Sequence, residues 1–106
     1  MEPRLSVVVP AYNEALNLPT LVREIEEAVA PLGQPWELLI VDDGSTDETP
    51  AVLADLEKQH PALRVLRFAR NAGQSAAFLA GFEAARGDVV VTLDADLQNN
   101  PADIPA

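Results

Sequence analysis

Trp36-Glu37-Leu38-Leu39-Ile40-Val41-Asp42-Asp43-Gly44-Ser45 passes from a short, nearly continuous apolar run into a cluster of turn residues. A run of this length reads as a strand from Trp36 to Val41, buried on both faces as in a parallel sheet. Asp42 to Ser45 then forms a turn, because Asp beside Gly suits sharp backbone reversal. The segment from Asp47 to about His60 follows as a helix. Ser45 or Thr46 is its expected N-cap, Asp47 and Glu48 place negative charge at its positive end, and Pro50 is tolerated in the first turn.

The same strand, turn and helix order recurs on either side. Upstream, Leu5 to Val9 is a β-branched run closed by Pro10, followed by a loop. Between about Leu16 and Ala30, apolar residues at Leu18, Leu21, Val22, Ile25, Ala28 and Val29 keep the helical period, and Pro31 and Gly33 end it. Downstream, Leu63 to Phe68 reads as a strand, Arg70 to Gly73 as a loop, and Gln74 to about Ala85 as a helix stopped by Gly87. Asp88 to Leu93 is a fourth strand ending at Asp94. Alternation of this kind predicts an α/β fold with a parallel sheet and flanking helices.

In such a sheet, ligands bind beyond the carboxyl ends of the strands. The predicted strands deliver Pro10 to Glu14, Asp42 to Ser45, Ala69 to Gly73 and Asp94 to Gln98 to that one edge, so the unusual polar residues converge. Asp94 and Asp96, with Gln98, can approach one hard cation if the backbone turns, or can simply cap a solvated turn. Of Asp42 and Asp43, one can accept a hydrogen bond from a base or ribose while the other satisfies turn amides, or both can do only the latter. Tyr12 and Glu14 can stack on a base and bind its edge, or Tyr12 can pack over the first helix while Asn13 starts the turn. Arg70 and Asn71 either meet a phosphate or close a loop, and Gly73 either admits close backbone approach or relieves the turn.

Composition narrows the classes. The chain has 106 residues, 48% of them hydrophobic, and a formal net charge of −10, which disfavours nucleic acid as a partner. A nucleotide is still accommodated where a divalent cation and helix N-termini supply positive potential. The absence of cysteine excludes disulfides and thiolate chemistry. Leu5 to Val9 is too short for a signal peptide or a membrane span. No glycine-rich phosphate cradle follows the first strand, which counts against a dinucleotide oxidoreductase or a triphosphatase. His60, the sole histidine, reads as a surface or helix-capping residue.

Taken in order, Val7-Val8-Val9-Pro10-Ala11-Tyr12-Asn13-Glu14, Val41-Asp42-Asp43-Gly44-Ser45-Thr46-Asp47, Arg70-Asn71-Ala72-Gly73 and Leu93-Asp94-Ala95-Asp96-Leu97-Gln98 resemble the family 2 glycosyltransferases of GT-A fold. Within them the chain looks most like the dolichol-phosphate mannosyltransferase-like branch, which includes polyprenyl-phosphate sugar transferases. The resemblance implies a Rossmann-like, mostly parallel sheet, with residues 1–106 forming the N-terminal, nucleotide-sugar-binding part of a catalytic domain truncated at its C-terminus. It implies that Pro10, Tyr12, Glu14, Asp42 and Asp43 bind the nucleoside of a UDP- or GDP-sugar, with Asn71, Gly73, Asp94 and Ala95 completing the donor site. Asp94, Asp96 and Gln98 would hold Mg²⁺ or Mn²⁺, Asp94 and Asp96 supporting the leaving group, and no general base is identifiable.

The implied reaction is metal-dependent, inverting transfer of a hexose to a dolichyl or undecaprenyl phosphate. The expected setting is cytoplasmic, at the membrane face in the intact protein, with membrane association through further C-terminal residues or a partner, and open sheet edges favour homo-oligomers. The 106 residues alone are expected to be inactive. The competing readings are a non-catalytic nucleotide-binding or regulatory domain and a sugar nucleotidyltransferase. The latter is disfavoured by the lack of a basic glycine-rich triphosphate loop after Val9.

Overall fold

The computed structural model describes residues 3–93. Its elements run β1 (Leu5–Ala11), α1 (Leu18–Val29), a single 3-10 turn (Ala30–Leu32), β2 (Trp36–Asp42), α2 (Thr49–Gln59), β3 (Leu63–Arg67), α3 (Gln74–Ala84) and β4 (Val89–Thr92). The four strands form one sheet in the order β3-β2-β1-β4, and every neighbouring pair is parallel. The expected α/β class holds.

Strand alternation divides the sheet into two faces. Val7, Val9 and Ala11 of β1, Leu38 and Ile40 of β2 and Leu63 of β3 join Leu18, Leu21, Val22, Ile25 and Val29 of α1 and Leu53 and Leu56 of α2 in one buried cluster. The helical spacing of the α1 residues is what lets one stripe meet the sheet. On the opposite face Gly81 of α3 lies so close to Val8 that an added Cβ would stand 2.3 Å from its Cγ1. Two crossovers therefore pack on one face and the third on the other. The chain winds outward through β1, β2 and β3, then returns to the far side of β1 for β4. That reversal places the topological switch point between β1 and β4, where open α/β sheets hold their ligands.

Four details depart from the sequence reading. β1 continues through Pro10, which pairs in register with Val41. By alternation the missing Pro10 N–H faces the β4 side, beyond the last β1–β4 register pair, Val8 with Thr92, so no bond to β2 is lost. α2 begins at Thr49, and neither Ser45 nor Thr46 caps it. Asp47 Oδ1 instead accepts the Thr49 N–H at 2.8 Å, which holds the preceding residues in a turn. Finally, β4 is not buried on both faces: Val89 is 50% and Val90 39% exposed, and among the described residues β1 is the one strand beside it.

The amino-terminal edge of the sheet is fastened by a buried carboxylate. Glu37, 5% exposed, accepts hydrogen bonds from Ser6 Oγ at 2.6 Å, Arg64 Nη1 at 2.7 Å and the Arg86 amide at 2.7 Å. Ser6 Oγ in turn accepts the Gly87 N–H at 2.8 Å. One side chain thus links β1, β2, β3 and the connection into β4. Burial alone would push the Glu37 pKa up, but the hydrogen bonds from Ser6, the Arg86 amide and Arg64, with the Arg64 charge, hold it below the usual carboxylate range.

Candidate functional site

The carboxyl edge is built differently, from two interlocked loops and one side chain left open. Asp42 ends β2 and is fully buried. Its Oδ1 accepts the Ser45 N–H at 3.0 Å, closing the turn that the Asp-Gly pair initiates. Its Oδ2 is buried and has no hydrogen-bond partner, the only such side-chain atom among the described residues. Buried polar atoms are almost always paired, so an unpaired carboxylate oxygen at a ligand-binding edge is a strong functional signal. Asp42 also borders a cleft of about 240 Å³ lined by Pro50, Leu53, Ala54, Glu57, Val65 and Arg67.

Asp43 points elsewhere. Its Oδ1 accepts the Ala72 N–H at 2.7 Å, and its Oδ2 accepts the Gly73 N–H and Asn71 Nδ2, each at 3.1 Å. Asn71 Nδ2 also donates to the Asp43 carbonyl at 3.2 Å. The carboxylate is therefore held by the Ala72 and Gly73 amides of the loop that leads into α3, near the end of the helix that favours an anion. Gly44 allows this approach. Its φ is +71°, and a Cβ there would lie 2.3 Å from backbone atoms of Arg70 and Asn71. The Asp pair thus splits as strand alternation suggests: Asp42 keeps an open oxygen, while the Asp43 carboxylate is engaged by the β3–α3 loop.

The β1 loop carries the remaining candidates. Pro10 is buried within β1, and Tyr12, just beyond the strand, is 44% exposed. Glu14 N–H donates to Thr49 Oγ1 at 3.0 Å, and Glu14 Oε2 accepts Asn17 Nδ2 at 2.8 Å. Between them, Asn13 adopts a left-handed φ of +53° and bonds to residues 45–47 of the neighbouring loop. Asn71 and Gly73 occupy the β3–α3 loop just described, and the Gly73 φ of +101° is one that side chains rarely adopt. Asp94, Ala95, Asp96 and Gln98 lie outside the described residues. Among the described residues no cluster of His, Cys, Asp and Glu could hold a metal, and no helix is long and apolar enough to cross a membrane.

Sequence reading missed two contributors. In sequence Asn13 reads only as a turn former, whereas its side chain joins two loops 33 residues apart. Arg67, the last residue of β3, reads in sequence as an ordinary strand residue, whereas it shares the cleft with Asp42. A Tyr-Asn-Glu sequence after a buried strand offered a signal for the first; nothing local marked the second. His60 is a capping residue as expected: it ends α2, and its Nδ1 lies 2.8 Å from Glu26 Oε2 of α1.

Comparison with known proteins places the fold and the family. The undecaprenyl-phosphate 4-deoxy-4-formamido-L-arabinose transferase of Pseudomonas aeruginosa is 51% identical over 102 residues, which is 95% of this chain and 30% of that protein. The transferase of the same name from Klebsiella pneumoniae is 46% identical over 105 residues, 96% of this chain and 32% of that protein. The chain therefore spans about a third of the length of these curated relatives. Among solved structures, a mannosyltransferase from Pyrobaculum calidifontis in complex with GDP-Man and Mn²⁺ superposes with a TM-score of 0.80 at 34% identity, over 91% of this chain and 28% of that one. TarS 1-349 of S. aureus in complex with UDP-GlcNAc gives 0.76 at 26% identity, over 88% and 26% of the two chains. The four-stranded parallel sheet with its flanking helices is thus that of the GT-A glycosyltransferases. Residues 6–106 match the family model described as glycosyl transferase family 2, and the chain belongs to that family.

Proposed function

We propose that this chain forms the donor-binding part of a polyprenyl-phosphate sugar transferase. The observation that carries the reading is the buried, unpartnered Oδ2 of Asp42 beside the cleft that it shares with Arg67. The imide N–H of uracil and the amide and amino N–H groups of guanine would each complete that oxygen's hydrogen bonding, while Arg67 offers a donor to a base carbonyl. Tyr12, exposed at the same edge, supplies a ring on which a base or ribose can stack. In this reading the Asp43 carboxylate with Asn71 and Gly73 shapes the loop beside the donor, and Pro10 and Glu14 fix the turn that carries Tyr12.

Asp94, Asp96 and Gln98 offer hard oxygen donors, the set suited to Mg²⁺ or Mn²⁺, and the solved relative with GDP-Man holds Mn²⁺. When bound there, the cation would neutralise charge on the departing nucleoside diphosphate. A polyprenyl phosphate is already anionic at neutral pH, so attack on the anomeric carbon with inversion asks no general base of these residues. The relatives at 46–51% identity are named for undecaprenyl phosphate and a formamido-arabinose. Those names support the lipid-phosphate acceptor and make a substituted pentose the first sugar to test, beside the hexose expected from sequence.

Calorimetry with UDP and GDP, with and without Mn²⁺, tests the donor site on the wild type, Asp42→Asn and Asp96→Ala. One nucleotide should bind in a cation-dependent way, weakened about tenfold to a hundredfold by Asp42→Asn through loss of a charge-assisted hydrogen bond, and stripped of its cation dependence by Asp96→Ala. Binding of neither nucleotide, or binding indifferent to both substitutions, removes the assignment. Transfer to undecaprenyl phosphate by the longest product of the gene then separates a transferase from a domain that holds nucleotide without turnover.

A further inference from the structure

Tyr12 sits on a loop whose shape is not explained by its own sequence neighbours. The next residue, Asn13, is the only non-glycine residue with positive φ among the described residues, at +53°. Asparagine tolerates this region better than most side chains, but it remains an uncommon backbone state. What holds it is a reciprocal set of bonds with the β2–α2 loop. The Asn13 N–H donates to Ser45 Oγ at 2.9 Å. Asn13 Oδ1 accepts the N–H groups of Thr46 at 2.8 Å and of Asp47 at 3.3 Å, and Nδ2 donates to Thr46 Oγ1 at 3.3 Å. On either side of this clamp stand the two groups assigned to the nucleoside: Tyr12 immediately before it, and Asp42, whose Oδ1 holds the Ser45 N–H of the clamped loop.

We infer that Asn13 is a positioning residue for donor binding. It sets the spacing between the Tyr12 ring and the open oxygen of Asp42 by locking the β1 loop to the β2–α2 loop. The inference rests on the donor reading above and deepens it. Asn13 touches no substrate in this scheme and acts through its neighbours. Two separable properties are needed at this position: a side chain at ease with positive φ, and an oxygen that accepts the Thr46 and Asp47 amides.

A substitution series separates them. Asn13→Gly keeps the backbone freedom and loses the acceptor, Asn13→Ala loses both, and Asn13→Asp keeps both. NMR of the full 106-residue chain reads hydrogen exchange at the Thr46 and Asp47 amides, together with titration by uridine and guanosine, which carry no phosphate for an added carboxylate to repel. The wild type and Asn13→Asp should protect both amides and bind the same nucleoside to within about twofold. Asn13→Gly and Asn13→Ala should expose those amides and weaken binding about tenfold, with Asn13→Ala the weaker. Undiminished protection in Asn13→Gly overturns the clamp. Exposed amides with unchanged nucleoside affinity overturn the positioning role while leaving the donor site intact. A wild type that binds neither nucleoside removes the donor reading, and the positioning role with it.

Discussion

Replacing Glu37 by Gln tests whether the amino-terminal edge is held by a charge or merely by shape. The substitution keeps the volume and one acceptor oxygen, but it puts an NH₂ group where the carboxylate accepts from Ser6 and the Arg86 amide through Oε2, or from Arg64 through Oε1. Breaking a fully buried ion pair by changing one partner costs about 3–5 kcal/mol. The Arg64 side chain is 34% exposed and can recover some hydration, so about 2–4 kcal/mol is expected here. For a domain of this size that lowers the melting temperature by roughly 10–20 °C. The pH dependence has a definite sign. Folding depresses the Glu37 pKa, so the carboxylate contributes fully above the ordinary glutamate range, and its contribution disappears as the pH falls through the lowered value. Circular dichroism melts of both proteins should therefore show a wide gap at pH 7 that narrows below about pH 4.3, the unperturbed glutamate value. A gap of a few degrees that stays constant with pH would refute the charge argument.

The glycine positions give two sharper tests. Gly44→Ala places a Cβ against the backbone of Arg70 and Asn71 at a φ of +71°, and no side-chain movement can relieve a clash with main chain. It should cost on the order of 3 kcal/mol in urea unfolding and expose the Ala72 and Gly73 amides to exchange. Gly81→Ala meets only the Val8 side chain, so it should cost about 1–3 kcal/mol by overpacking. Adding Val8→Ala should then recover part of that loss, and strict additivity in the double mutant would show that the α3–β1 contact does not set the cost.

The order of elements was legible because the strands are mostly apolar and the turns carry Asp, Asn and Gly, signals that act over a few residues. Departures arose wherever a distant partner decided. Pro10 stays in β1 because of which neighbour its absent N–H faces, a fact of strand order. Ser45 and Thr46 are sound N-cap residues in isolation, yet both engage Asn13 of another loop. Val89 and Val90 look like core residues but are exposed beside the described strands. The Glu37 network was invisible for the same reason, since Ser6 and Arg64 lie 31 and 27 residues from Glu37. Within the candidate site, residue types and the convergence of the loops after β1, β2 and β3 on one edge could be read from sequence. The separate duties of Asp42 and Asp43 could not, because they depend on hydrogen-bond partners supplied by the Arg70–Gly73 loop and by the turn at Ser45.

The two ends of the sheet hold buried carboxylates under opposite conditions, and the contrast bears on function. At the amino-terminal edge both Glu37 oxygens are engaged, and burial is offset by donors from β1, β3 and the β4 connection. At the carboxyl edge Asp42 is more deeply buried, yet one oxygen has no partner. If fold stability alone governed both positions, the second arrangement would be the poorer solution, since an unpaired buried acceptor carries a penalty of about 1–3 kcal/mol. A fold can retain such a group when something that binds there completes it, and the penalty is then recovered as binding energy. Asp42→Asn should therefore leave the free protein about as stable or more so while weakening nucleotide, whereas Glu37→Gln should do the reverse. Opposite signs for two buried acids on one strand would distinguish a carboxylate kept for a ligand from one kept for the fold.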